Sequence, residues 1–184
     1  MTNLGKFPVF FVLVILAAIS AAVFGALHNQ LSYSVGPDYF HVIKFPQFNL
    51  APDVSPRVGA AIVGVQASWW MGVIVGIPAF LYGLFRVPTA RTYLAAGIGA
   101  IGAVVLLSAF AALLGLIAGI ALAGSGWFAD LIAIPAGLDR AEFLRAGMMH
   151  DASYLGGALG ALVAFWPMHR AVAIDRARLT GGQP

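Results

Sequence analysis

The sequence predicts an all-α membrane protein: a four-transmembrane-helix bundle with an external hairpin-like flap between helices 1 and 2. Three observations predict it. Hydrophobic residues make up 61% of the 184-residue chain and charged residues only 9%, against roughly 25% charged in soluble domains. So little charge cannot cover a water-facing surface, so lipid must solvate most of the chain; the mean hydropathy of +0.92 agrees. The apolar residues also fall into four runs, and crossing a hydrocarbon core of roughly 30 Å takes about 20 residues. Charged residues sit mostly between or at the ends of these runs, as loops and helix ends require. The length suits one integral membrane domain over residues 1–184.

The first span is placed at about 7–27, apolar from Phe7 to Leu27 apart from Pro8 and Ser20. Ser20-Ala21-Ala22 also resembles a signal-peptide cleavage site. The apolar run continues past it, and Ala21 and Gly25 form a small-xxx-small pair suited to helix packing. Residues 28–57 form the first external segment. Pro37, Pro46, Pro52 and Pro56 rule out one continuous helix. Leu31 to Val35 alternates, Gly36-Pro37-Asp38 signals a turn, and Tyr39 to Phe45 is rich in β-branched and aromatic residues, so a short hairpin or extended flap is expected. Tyr33, Tyr39, Phe40, Phe45 and Phe48 suit the headgroup zone.

The second span covers about 58–85. Ala60, Gly64, Ser68, Gly72 and Gly76 form a stripe of small residues along one helix face, and Pro78 is expected to kink it. Arg86 to Arg91 is a tight charged turn. The third span covers about 93–124, longer than one crossing needs, with a GxxxG pair at Gly115 and Gly119. The second external segment, 125–145, includes Trp127 and Phe128 as interfacial aromatics. Asp139 and Glu142 match a capping box, so the helix of the fourth span (about 146–168) starts early, with its first turns in water. Trp166-Pro167 is expected to end it, leaving a loose tail with Arg170, Arg176 and Arg178.

Topology follows from charge. Lys6, Arg86, Arg91, Arg170, Arg176 and Arg178 fall on one side; Lys44, Arg57, Arg140 and Arg145 fall on the other. The positive-inside rule places the side richer in Lys and Arg in the cytoplasm, hence both termini. The chain has no cysteine, which excludes disulfides, cysteine-ligated zinc, iron–sulfur clusters and c-type haem attachment. The net charge of +3 is scattered rather than clustered with aromatics, which argues against a nucleic-acid partner. The expected partners are the lipid bilayer and a homo-oligomer or larger membrane complex.

The string from His28 to Phe40 (His-Asn-Gln-Leu-Ser-Tyr-Ser-Val-Gly-Pro-Asp-Tyr-Phe), with Lys44-Phe45 and Gln47-Phe48, resembles a family of bacterial inner-membrane proteins of unassigned function. That family has His-Asp-Gln, then Ser or Thr, then Pro-Glu-Tyr here. Ala67-Ser68-Trp69-Trp70 is similar to its second-span segment, and the histidine and tyrosine of span four are similar to a further one. The resemblance covers most of the chain and implies a bacterial cytoplasmic-membrane location. Asn29 and Asp38 stand where the family has Asp and Glu. The Asn29 change removes a charge, which weakens an acid–base role. No activity is implied.

Two polar groups interrupt the apolar runs: His28-Asn29-Gln30 and His150-Asp151-Ala152-Ser153-Tyr154. Gln66 should lie on the same side, roughly 12 Å into its helix at 1.5 Å per residue. Asp151 and Tyr154 are spaced i,i+3, and His150 and Tyr154 i,i+4, so each pair can share a helix face. The expectation is one polar pocket of His28, Asn29, Gln30, Gln66, His150, Asp151 and Tyr154, walled by Trp69 or Trp70. The plainer alternative is a polar clamp that sets helix register and binds nothing. His28, His150 and Asp151 are suitable ligands for zinc or iron, and the two histidines are conceivable axial ligands for haem, but no metal-spacing motif occurs and the sequence specifies no cofactor. Ser32, Ser68 and Ser153 lack a recognised nucleophile setting. His41 and His169 read as surface groups. The leading reading is a non-enzymatic structural or accessory membrane component with an external-side polar pocket. The alternatives are a small-solute or proton-coupled carrier acting as an oligomer, and a metal-dependent membrane enzyme. Four spans without a charged path into the inner half argue against transport by a monomer.

Overall fold

A computed structural model describes residues 3–125, 133–135 and 137–181. Among them no strand occurs. Trp127, Phe128 and most of the second external segment lie outside the described residues, as does the end of the tail beyond Gly181. A 3-10 turn, Asn3–Lys6, leads into α1, Phe7–Val35. A π-helical segment, Tyr39–Lys44, runs into the three-residue α2, Phe45–Gln47. Then come α3 (Pro56–Arg86), α4 (Ala90–Ser125), α5 (Arg140–Val163) and α6 (Phe165–Thr180). Helices α1, α3, α4 and the run from Arg140 to Arg178 are long and apolar enough to cross a membrane.

Three expectations are corrected. The hairpin-like flap is helical: Leu31 to Val35 are the last residues of α1, and Tyr39–Lys44 is π-helical. A helix satisfies its own backbone groups, whereas a hairpin at a membrane surface leaves edge groups unpaired. The expected turn at Gly36 does end α1, and the Gly36 N–H closes it on the Ser32 carbonyl at 3.1 Å. Secondly, α1 runs eight residues past Leu27, so His28, Asn29 and Gln30 lie within a helix rather than after one. Thirdly, Pro167 does not end the fourth span. The chain breaks only at Ala164, and α6 begins at Phe165. Pro167 then sits in the first turn, where helical N–H groups have no intrahelical partner to lose. Arg170, Arg176 and Arg178 are helical too. Helix α3 continues through Pro78.

The chain divides into two compact units, and each of the four long apolar runs contributes to both. The first holds residues 1–21, 69–107 and 157–184. Its core is Leu13, Ala79, Phe80, Leu84, Tyr93, Ala100, Met168 and their neighbours. Polar groups tie up its helix ends. Lys6 is buried and donates to the carbonyls of Leu84 and Val87, the latter at 2.7 Å. Those are carbonyls at the end of α3, which lack intrahelical partners. Asp175 accepts from the Thr89 amide at 3.1 Å, the Thr89 hydroxyl at 3.0 Å and the Thr92 hydroxyl at 2.7 Å, and so closes the start of α4.

The second unit holds residues 22–68 and 108–156. Tyr39, Phe40, Ala60 and Ala146 form its apolar core, with Tyr33, Ile43, Phe45 and Phe143 around them. Helices approach closely here. A β-carbon on Gly25 would run into the Gly64 carbonyl, and one on Gly64 into the Gly25 carbonyl. Gly115 meets the Met148 carbonyl of α5 in the same way. At the start of α5, Asp139 caps the helix: its carboxylate accepts from the Glu142 N–H at 2.9 Å. The Glu142 side chain binds the Asp38 N–H at 2.7 Å.

Candidate functional site

The site lies in the second unit and is built from α1, α5 and the π-helical segment. Residues 28 and 32 are spaced i,i+4, so helical continuation to Val35 puts His28 and Ser32 on one face. His28 is 8% exposed and His150 4%. The structure brings the two histidines together, with ring centres 4.8 Å apart and planes at 82°. Ser32 Oγ and His150 Nε2 share a hydrogen bond of 3.0 Å. The Tyr39 ring stacks on His150 at 5.3 Å, Phe40 leans against it at 5.9 Å, and Phe24 stacks on His28 at 5.6 Å. His28 Nε2 is buried and makes no hydrogen bond. Leaving such a group unpaired costs about 1–3 kcal/mol.

Three further contacts tie the end of α1 to the start of α3. Asn29 Nδ2 donates to the Ala60 carbonyl at 2.9 Å. Gln30 Nε2 donates to the Arg57 carbonyl at 2.9 Å, and Arg57 donates back to the Gln30 carbonyl at 2.8 Å. Arg57 also reaches the Ser34 hydroxyl and lies over the Tyr33 ring.

The predicted pocket divides on this geometry. His28 and His150 are buried together, whereas Asn29 is buried against Ala60 of α3 and the half-buried Gln30 bonds Arg57. Asp151 and Tyr154 are exposed and form a rim rather than a lining. Gln66 is exposed and borders a shallow groove of about 560 Å³ with Gln30, Arg57 and the apolar face of α3. Trp69 and Trp70 are 51% and 43% exposed, so neither is enclosed as a pocket wall. The error was one of angle: depth along a helix is legible from residue count, but the face a residue presents depends on the neighbours. Sequence reading missed Ser32, Tyr39, Phe40 and Lys44. The Ser32 signal, four residues after His28, was present but needed α1 to continue; the rings were read as headgroup anchors.

The rim carries charge. Burial pushes the Tyr39 phenol up, and the Asp151 carboxylate adds to the shift. Burial pulls the Lys44 ammonium down, opposed by Asp151. Lys44 Nζ sits 5.4 Å from the Tyr39 ring centre.

These groups set what the site can do. Two axial imidazoles on one iron stand with ring centres about 6 Å apart, given metal–nitrogen bonds of about 2 Å. The 4.8 Å separation therefore does not accommodate a haem between the histidines. Asp151 does not join the pair, and among the described residues no three His, Cys, Asp or Glu side chains converge. Ser32 and His150 have the separation of a nucleophile and base, but Ser32 is fully buried and a substrate cannot reach its hydroxyl. Comparison of the chain with protein-family models, curated proteins and solved structures finds no match.

Proposed function

We propose that the protein is a structural or accessory component of the bacterial cytoplasmic membrane, with both termini in the cytoplasm and a polar clamp toward the external side. The observation that carries this is a set of interhelical polar contacts in the second unit: Ser32 with His150, Asn29 with Ala60, Gln30 with Arg57 and Glu142 with Asp38. Each interhelical hydrogen bond in a membrane is worth roughly 0.6 kcal/mol on average. Together they set register and angle between α1 and its neighbours more than they add stability. A rigid external-side framework suits a protein that holds or presents partners. The charge distribution supports the orientation, and the resemblance of residues 28–48 to the inner-membrane family supports the location. The GxxxG glycines are taken up by packing within the chain, Gly25 against Gly64 and Gly115 against Met148, so a second copy or another membrane protein would meet the exposed apolar helix faces.

The test is purification from native membranes in mild detergent, with quantitative identification of what accompanies the chain. A stoichiometric membrane partner, or a defined oligomer, is expected. A chain that emerges monomeric and alone, and that moves a solute when reconstituted, would overturn the reading in favour of a carrier.

A further inference from the structure

We infer that the surface of the first unit where α3 meets α6 binds an anionic phospholipid, its phosphate held by Arg86, His169 and Arg170. The proposal rests on the membrane reading above, whose orientation puts this surface in the cytoplasmic leaflet. The first observation is charge. Residues 1–21, 69–107 and 157–184 hold Lys6, Arg86, Arg91, Arg170, Arg176 and Arg178 but a single side-chain carboxylate, Asp175. Lys6 is buried on the carbonyls of Leu84 and Val87, and Asp175 is buried against the hydroxyls of Thr89 and Thr92. Arg86 and Arg170 are exposed, and neither meets a carboxylate among the described residues. An excess of Lys and Arg next to the spans follows from topology and by itself marks a side of the membrane rather than a site.

Geometry supplies the site. The Tyr82 hydroxyl and His169 Nδ1 share a hydrogen bond of 3.2 Å, and the Tyr82 ring meets Phe165 edge-on with centres 5.8 Å apart. Arg86 stands one turn beyond Tyr82 on α3 and lies over its ring at 5.9 Å; Arg170 follows His169 on α6 and lies over the Trp166 ring at 5.1 Å. Both guanidiniums therefore flank one tyrosine–histidine contact. With Nδ1 accepting from the tyrosine, the neutral imidazole carries its proton on Nε2 and offers a third donor at an exposed position. A guanidinium fork donates to two phosphate oxygens at once. Basic surfaces between helices on the cytoplasmic side are where lipid phosphates are held. Tyrosine and tryptophan suit the headgroup level, and Trp166, under Arg170, is 62% exposed. That ring is an apolar surface for the first carbons of an acyl chain. The net charge of the headgroup decides which lipid binds: a choline would bring its own cation against two guanidiniums.

The test uses the full chain, delipidated in mild detergent and titrated with phosphatidylglycerol or with phosphatidylcholine of the same acyl chains, with bound lipid read by native mass spectrometry. One phosphatidylglycerol per chain is expected, held roughly 10-fold more tightly than phosphatidylcholine because only headgroup charge differs. Arg86→Gln and Arg170→Gln should each weaken it about 5-fold and together roughly 30-fold; Arg145→Gln, in the other unit, should leave it unchanged. Thermal unfolding guards against variants that fail to fold: phosphatidylglycerol should raise the melting temperature of wild type but not of the double variant, the two being equal without lipid. Equal affinity for the two lipids, binding that survives the double substitution, or displacement by inorganic phosphate but not by chloride at equal ionic strength overturns the proposal. A partner that copurifies with a chain showing no lipid preference would sink the lipid site alone; phosphatidylglycerol bound to a chain without a partner would sink the accessory reading alone.

Discussion

Tyr39 shows how one residue can report on the site. Its phenol is held above its ordinary range by burial, then by Asp151. The folded state therefore keeps this proton to higher pH than the unfolded state does, and the unfolded phenol titrates near about pH 10. Stability that is complete below that pH is lost as the pH rises further. Melting curves taken from about pH 7 to pH 11 should show wild type losing stability more steeply than Tyr39→Phe above about pH 10. Lys44 shifts the other way, but it is common to both proteins and cancels in the difference. Curves that stay parallel would refute this account. Ser32→Ala leaves His150 Nε2 without its partner. A loss of about 1 kcal/mol is expected in denaturant or thermal unfolding, with the helix content unchanged by circular dichroism.

At the scale of elements, glycines separate close packing from open surface. A methyl group at Gly64 meets the backbone of α1 at Gly25 and Ala26, where no flexible side chain can give way. Gly64→Ala should destabilise the protein by roughly 1–3 kcal/mol, as overpacking does. Gly102 has nothing within 4 Å of that position. Gly102→Ala should be neutral or stabilise by up to about 1 kcal/mol, the difference in helix propensity. Thermal unfolding of the two variants side by side checks this, and equal effects would contradict the packing. At the α5 start, Asp139→Ala removes the cap on the Glu142 N–H and should cost about 1 kcal/mol. The capping pattern was legible because it is local in sequence. That Glu142 would turn to the Asp38 N–H rather than back onto its own helix was not, because Asp38 is 104 residues away.

For the whole molecule the open quantity is orientation, and a chain without cysteine allows a direct measurement. Ser55→Cys, just before α3, should react with a membrane-impermeant maleimide in intact cells. Gly5→Cys, just before α1, should react only after the cells are permeabilised. The reverse pattern would invert the topology drawn from the positive-inside rule. Lys6 bears on the same end of α1: it caps the carbonyls that end α3, so the cysteine is placed at Gly5, which has open space around it.

Composition and run length by themselves determined the class: four apolar helices, with the boundaries of α3 and α4 close to where the runs begin and end. Those properties depend on local quantities, the number of apolar residues needed to cross lipid and the positions of turn and cap residues. The meeting of His28 and His150 was also within reach, because rise per residue converts sequence into position along a helix. Only the tertiary structure decided the rest. It turned the flap into a helix, since Tyr39 and Phe40 find their partners on α5 rather than on a facing strand. It turned Gln66, Trp69 and Trp70 outward and brought Ser32 into the site. Helix faces carry no such instruction in a sequence that is apolar all round: when every side of a helix is greasy, the neighbours that pack against it choose which side is in.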